Sequence, residues 1–161
     1  MGNRVSASIV IGGRAPAELV DALCEAIEDE RLGPDWGDSF ESRDALIAYL
    51  RAGTDGVDLY GTEVNGGEFE TLQAFCVEHG LVYRLTYDGY GGEWGPATRL
   101  RHADGTETCS LDRDGGDACV CRDDLVRLGF ASIEEVQAYL ERFDRFRPEP
   151  LVIGETAPAS V

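Results

Sequence analysis

Residues 81–111 read LVYRLTYDGYGGEWGPATRLRHADGTETCSL, and this stretch decides the fold class of the chain. From residue 81 to 87 every odd position is Leu or Tyr and most even positions are polar, which is the period of a half-buried strand. Two more strands are predicted at residues 98–102 and 106–111, joined by an Ala-Asp-Gly turn that suits a tight hairpin. Strands joined by so short a turn pair antiparallel. The centre of the chain therefore predicts an antiparallel sheet.

Towards the N-terminus, predicted strands alternate with predicted helices. Residues 5–11 and 57–64 have strand patterns. Apolar residues at helical spacing predict one helix after Pro16, one after Ser42 and one around residues 69–76. Pro16 suits the first position of a helix, and Ser42 suits an N-cap. Because strands separated by helices can also pair in parallel, we expect a mixed sheet.

Towards the C-terminus, a short strand is predicted at residues 119–121 and a helix after Ser132. Ser132 and Glu135 form the capping box of that helix. From Pro148 the chain is rich in Pro and small residues, which predicts an extended or mobile tail. We therefore predict an α+β fold, with a mixed, largely antiparallel sheet and three to four helices packed on it. Residues 1–147 would form one domain, and residues 148–161 the tail.

The charge of the chain is its clearest functional feature. Thirty-one Asp and Glu residues stand against 14 basic residues, all of them Arg, for a net charge of −17. Residues 18–78 alone hold 16 acidic residues and three Arg, a balance of −13. Such a field repels nucleic acid and anionic membranes and attracts basic partners. We therefore expect a basic protein surface as the partner, and no direct binding to nucleic acid or to a membrane.

The leading hypothesis is an acidic protein-binding inhibitor that mimics nucleic acid. Carboxylates spaced along a convex surface can pair with the Arg and Lys that normally contact phosphates. An origin in a phage or plasmid, and a target in a CRISPR, restriction or other nucleic-acid-processing complex, would fit this charge and size. The candidate partner-binding residues are carboxylates of the first and third helices and two aromatics of a Gly-rich loop: Glu18, Asp21, Glu25, Glu28, Asp29, Glu68, Glu70, Tyr90 and Trp94.

A second hypothesis gives the charge no role in binding. Acidic chains without Lys also arise from a bias shared by a whole proteome or from adaptation to salt, and a charged helix face is usually only solvated. The protein would then be a structural or regulatory domain. No other feature of the sequence separates the two hypotheses.

A third hypothesis is a small zinc protein. His102, Cys109, Cys119 and Cys121 are residue types that bind zinc, and the thiols of Cys119 and Cys121 would share one face of a strand. Against it, the spacing C-x-C is shorter than the usual C-x2–4-C, and inert thiols are the alternative. Residues 112–117 resemble a calcium loop but fail the EF-hand pattern. No cofactor is predicted.

The sequence does not predict an enzyme. Neither His79 nor His102 has a nucleophile in a recognisable context, and there is no P-loop or G-x-G-x-x-G. Five cysteines without the spacing of a secreted scaffold favour a reducing cytoplasm. The apolar run near the N-terminus is too short for a secretory signal.

Overall fold

The computed structural model describes residues 3–112 and 117–154, and a sheet with helices on both faces forms within them. The seven strands are β1 (Arg4–Pro16), β2 (Val57–Asn65), β3 (Val82–Tyr87), β4 (Ala97–Arg101), β5 (Glu107–Asp112), β6 (Ala118–Cys119) and β7 (Leu151–Gly154). The five α-helices are α1 (Val20–Asp29), α2 (Arg43–Ala52), α3 (Glu70–His79), α4 (Arg122–Leu128) and α5 (Ile133–Arg145). A 3-10 turn, Ala17–Leu19, precedes α1. The predicted α+β class is confirmed.

Strand β1 organises the sheet. The strand order is β2-β1-β3-β4-β5-β6, and every neighbouring pair in this order is antiparallel. The last residues of β1, from Gly13 to Pro16, pair in parallel with β7. The sheet is therefore mixed and largely antiparallel, as the sequence predicts.

The main core lies between one face of the sheet and α1, α2 and α3. Alternate residues of β1, namely Ala7, Ile9 and Ile11, are completely buried on this face. In register, Ile9 lies between Leu59 of β2 and Leu85 of β3, which are also completely buried. Burying each such Leu or Ile side chain stabilises the fold by about 1.5–3 kcal/mol. The period of two in β1 and β3 thus fixes which face receives the helices.

Helix α5 covers the opposite face of the sheet. Arg84 alternates with the core-facing Tyr83 and Leu85, so its side chain points away from the main core. There its Nη1 donates a hydrogen bond of 2.9 Å to the carbonyl of Phe143 in α5. Phe143 is the one buried residue of this helix. The sheet therefore separates α1–α3 from α5.

The predicted N-caps of two helices are confirmed, but the second half of the predicted capping box is not, because Glu135 Oε2 accepts from the N–H of Ala131 and not from that of Ser132. Ser42 Oγ accepts a hydrogen bond from the backbone N–H of Ala45 at the start of α2. Ser132 Oγ accepts from the N–H of Glu135 at the start of α5. Both side chains satisfy an N–H group that the first turn of a helix leaves without an internal partner.

The C-terminal part differs from the sequence prediction in two places. The strand predicted at residues 119–121 ends at Cys119, and Cys121 instead caps α4, a helix that the sequence pattern did not indicate. Within the predicted tail, residues 151–154 form β7, where Leu151 is buried. The tail lies so close to β1 that a Cβ added at Gly12 would fall 1.9 Å from the carbonyl oxygen of Glu149. Residues 155–161 lie outside the described part of the chain.

A candidate acidic interface

The carboxylates of α1 face outward because its apolar residues face the sheet. Leu23 and Ile27 are completely buried, one helical turn apart. Glu18, Asp21, Glu25, Glu28 and Asp29 are all exposed. At 1.5 Å of rise per residue, the row from Glu18 to Glu28 spans about 15 Å. The sequence prediction of an acidic outer face on this helix therefore agrees with the exposure of its residues.

Part of this row is neutralised from within the protein. The guanidinium of Arg43 in α2 pairs with both carboxylate oxygens of Glu28, with 3.1 Å between Nε and Oε1, and lies 3.9 Å from Glu25 Oε1. Its hydrogen bond lowers the pKa of the Glu28 carboxyl. Two of the predicted partner-binding carboxylates therefore share an internal cation.

A cleft of about 300 Å³, here called the acidic cleft, lies between the end of α1, the start of α3 and strand β2. Five carboxylates and two guanidiniums line it: Asp29, Glu30, Glu63, Glu68, Glu70, Arg4 and Arg31. Three of the predicted site residues, Asp29, Glu68 and Glu70, are thus brought together from segments about 40 residues apart in the sequence. The cleft is not lined by Glu18 of the 3-10 turn or by Asp21 and Glu25 of α1.

Several groups hold the walls of the acidic cleft in place. Glu30 Oε1 accepts a hydrogen bond of 2.7 Å from the backbone N–H of Thr71, which ties the end of α1 to the first turn of α3. Arg99 of β4 pairs with Glu68 at 2.8 Å, and Arg4 pairs with Glu63 at 3.2 Å. Glu68 and Glu63 are therefore partly neutralised. No ion pair holds Asp29 or Glu70 among residues 3–112 and 117–154.

Two residues of the acidic cleft have a left-handed backbone although they are not glycine. The φ angles are 55° at Arg31 and 59° at Glu63. Glu63 lies at a bulge, where the partners of Val5 and Ala7 on β2 are Val64 and Gly61. Such conformations are costly for residues with a side chain, and here they occur where a helix ends and where a bulge interrupts a strand. Glu30 and Glu63 are not predicted as site residues from the sequence, because the hydrophobic pattern shows neither the bulge in β2 nor the contact of the end of α1 with α3.

The loop that carries Tyr90 and Trp94 borders the acidic cleft. The rings of Tyr90 and Trp94 stack with their centroids 5.3 Å apart, and the N–H of Tyr90 donates to the carbonyl of Trp94 at 3.0 Å. Tyr90 lines a second cleft of about 390 Å³, here called the Tyr90 cleft. Arg4, Thr62 and Glu63 line both clefts. Tyr90 is therefore next to the predicted carboxylates, whereas Trp94 packs on Tyr90 and lines neither cleft.

The candidate zinc residues do not come together. His102 accompanies Thr108 on the face that carries α5, with 2.9 Å between His102 Nε2 and Thr108 Oγ1. Cys109 and Cys119 lie on the other face, because Cys119 is in register with Leu111 and side chains alternate along β5. Within residues 3–112 and 117–154, no three His, Cys, Asp or Glu side chains are arranged to hold a metal ion. Residues 113–116 of the calcium-like loop lie outside the described part of the chain.

Comparisons with protein families, with curated proteins and with solved structures find no match to this chain. None of the helices in the described residues is both long enough and apolar enough to cross a membrane. Inferences about function therefore depend on the geometry of the clefts and on the charge.

Proposed function

We propose that this protein is an acidic protein-binding inhibitor, which uses the acidic cleft and the outer face of α1 to occupy a basic surface of a nucleic-acid-processing complex. The observation that supports this proposal is the convergence of Asp29 and Glu70, which form no ion pair within the described residues, in one cleft next to the cleft that Tyr90 lines. Carboxylates there compete for the Arg and Lys side chains that bind phosphates. CRISPR and restriction complexes of a host attacked by phages or plasmids are the targets that fit best.

The distribution of charge supports a single docking side. Residues 18–78, which contain α1, α2 and α3, carry the balance of −13. Residues 122–147, which contain α4 and α5, hold six acidic residues and five Arg. Because the sheet separates α1–α3 from α5, most of this negative charge lies on one side of the molecule. A field of this shape orients the protein as it approaches a basic partner and raises the association rate.

The internal ion pairs indicate which carboxylates contribute most. Glu25, Glu28 and Glu68 already face guanidiniums, and pairing with a partner would replace an existing interaction. Asp21, Asp29 and Glu70 are exposed and have no ion pair within the described residues. We therefore assign these three carboxylates the main role in binding.

Tyr90 gives the proposed interface an apolar contact, which the carboxylates do not provide. Tyrosines in clefts are frequent hot spots of protein interfaces, because they bury a large area at a small cost in side-chain entropy. Trp94 supports the Tyr90 ring from one side by stacking. The Tyr90 cleft therefore gives the interface an apolar anchor next to the acidic cleft.

The alternative of a solvated domain makes a different prediction. If the charge only keeps the protein dispersed, neutralising any three exposed carboxylates has the same effect, since only the net charge matters. If the acidic cleft and α1 form an interface, position matters. Two variants of equal net charge therefore separate the two hypotheses.

The experiment compares an interface variant with a charge-matched control. The interface variant carries Asp21→Asn, Asp29→Asn and Glu70→Gln, and the control carries Asp123→Asn, Glu134→Gln and Asp144→Asn. Each immobilised protein captures partners from a bacterial lysate, and duplex DNA is then added as a competitor. We expect wild type and control to retain a basic nucleic-acid-binding protein that DNA displaces, and the interface variant to lose it. Equal retention by both variants, or no such protein, would contradict the proposal.

A further inference from the structure

A third cleft, here called the Arg84 cleft, lies on the face of the sheet opposite to α1–α3. It measures about 610 Å³, within the size range of small-molecule sites. Strands β1, β2 and β3 form its floor, and the segment after α5 forms one wall. Its lining combines two carboxylates and two guanidiniums with the apolar side chains of Val10, Phe146 and Pro148. None of these residues belongs to the acidic cleft or the Tyr90 cleft.

The register of the sheet places opposite charges on the two sides of an apolar floor. Val10 of β1 pairs with Asp58 of β2 on one side and with Arg84 of β3 on the other. The three residues thus form a row across three strands. Neighbouring strands lie about 4.8 Å apart, so the Cα atoms of Asp58 and Arg84 are separated by about 10 Å. Asp55 adds a second carboxylate to the lining and Arg147 a second guanidinium.

Neither guanidinium of this cleft is hydrogen-bonded to a carboxylate among residues 3–112 and 117–154. Arg84 donates to the carbonyl of Phe143, and Arg147 donates to the carbonyls of Asp144 and Phe146. No ion pair within the described residues involves either of them. Burial lowers the pKa of Arg84 and the nearby positive charge of Arg147 lowers it further, while the charges of Asp112 and Asp144 oppose this only in part. An anionic group bound between the two side chains would relieve both effects.

The carboxylates of this cleft resemble its guanidiniums, with the opposite sign of charge. Neither Asp55 nor Asp58 forms an ion pair within the described residues. Burial raises the pKa of Asp58, and the neighbouring charge of Asp55 raises it further. A cationic group at this wall would relieve that cost. The cleft thus holds two pairs of like charges, and no member of either pair forms an ion pair within the described part of the chain.

We propose that the Arg84 cleft binds a short zwitterion of about dipeptide size, with its carboxylate on Arg84 and Arg147 and its ammonium on Asp55 and Asp58. The separation of the walls suits charges that are several bonds apart better than those of a free α-amino acid. Val10, Phe146 and Pro148 would contact the apolar middle of the ligand. A Cβ at Gly56 would lie 2.7 Å from Val10 and 3.1 Å from Pro148, so glycine there lets floor and wall approach each other.

The test titrates the full chain with three probes and follows its backbone amide resonances. Glycylglycine carries both charges, N-acetylglycine lacks the ammonium and glycinamide lacks the carboxylate. We expect saturable shifts around Val10, Asp58 and Arg84 with glycylglycine. The other two probes should bind at least about tenfold more weakly, because each loses hydrogen bonds to charged groups.

Variants of the cleft complete the test. Arg147→Gln and Asp58→Asn should each weaken glycylglycine binding at least about tenfold. Both residues are on the surface, so the folded protein should remain intact, and amide spectra check this. Arg122→Gln and Asp123→Asn on α4 are the matched controls and should have no effect. Absence of saturation up to tens of millimolar would overturn the proposal. Equal binding of N-acetylglycine or of inorganic phosphate, together with no effect of Asp58→Asn, would also overturn the proposal. The cleft would then be a simple anion site.

Discussion

Thr98 of β4 donates a hydrogen bond of 2.6 Å from its Oγ1 to Oδ2 of Asp112 on β5. Asp112 is buried, and its Oδ1 has no partner among the described residues. Burial raises the pKa of Asp112 above its ordinary value, while the Thr98 hydrogen bond and the charge of Arg84 oppose that rise. One carboxyl group is therefore held where its charged form is disfavoured.

This relationship predicts how stability depends on pH. Because the folded pKa of Asp112 is raised, its contribution to stability is present in acid and is lost as the pH rises through that pKa. The stability of Asp112→Asn relative to wild type should therefore improve from acid to neutral pH. Thermal unfolding at a series of pH values measures this.

Asp104 provides a control of opposite sign. The hydroxyl and the N–H of Thr106 both hydrogen-bond its carboxylate and lower its pKa. Its contribution is present near neutral pH and is lost as the pH falls. Asp104→Asn should therefore cost most near neutral pH. If the stabilities of both variants relative to wild type change in the same direction with pH, the raised pKa assigned to Asp112 is wrong.

The second prediction concerns the link between α1 and α2. Replacing Arg43 by Gln removes the cation shared by Glu25 and Glu28, so α1 should become more negative and its packing against α2 less stable. The destabilisation should shrink as salt is added, since exposed charges are screened. Urea unfolding at low and high salt measures it, with Arg51→Gln as the control on the same helix. A salt-independent loss would indicate packing rather than charge.

The third prediction concerns the contact between β1 and the C-terminal segment. In Gly12→Ala the new methyl group meets the backbone oxygen of Glu149, which cannot move as a side chain would. We expect a loss of at least about 1–3 kcal/mol in the free energy of unfolding. Gly95→Ala is the control, because a Cβ there meets nothing within 4 Å. Equal stability of the two variants would mean that the segment does not lie on β1.

The fourth prediction concerns the backbone of Glu63. A left-handed conformation costs a residue with a side chain about 1–2 kcal/mol, and glycine avoids this cost. Glu63→Gly should therefore stabilise the fold, while loss of the carboxylate weakens binding of a basic partner. Thr62→Gly, at the neighbouring position without positive φ, should destabilise the fold. Denaturant unfolding distinguishes these outcomes. A Glu63→Gly variant less stable than wild type would contradict the left-handed backbone of Glu63 at the bulge.

The fifth prediction concerns the cysteines. Cys24 and Cys76 are completely buried, and burial raises the pKa of Cys76 to about 12. Both should react with a thiol reagent only as the protein unfolds, because the thiolate is the reactive form. Cys121 is exposed and should react at once. Mass spectrometry of the labelled protein measures the order of reaction, and early labelling of Cys76 would contradict the described core.

Local patterns predicted most of the fold. The alternation in β1 and β3 follows from the hydrophobic period, and Ser42 and Ser132 mark helix starts through chemistry confined to one turn. Helix α4 was not predicted, because it has no buried residues and because its N-cap is Cys121, an unusual residue for this position. Strand β7 was not predicted either, because its four residues form a strand only through pairing with β1.

The candidate site was predictable only in part. The outward face of α1 follows from its helical period. The meeting of Asp29 with Glu70 depends on how α1 packs on α3, and the place of Glu63 depends on a bulge. The row of Asp58, Val10 and Arg84 depends on strand order, which hydrophobic patterns do not encode.

The pairing of β1 with β7 has a consequence for synthesis of the chain. Gly13 is in register with Leu151, 138 positions later. During synthesis β1 leaves the ribosome early, but the backbone from Gly13 to Pro16 cannot pair with β7 until β7 has been translated. Contacts between such distant segments also slow folding in a test tube. We therefore expect a nascent chain stalled before residue 150 to be open to proteases and chaperones at its own beginning.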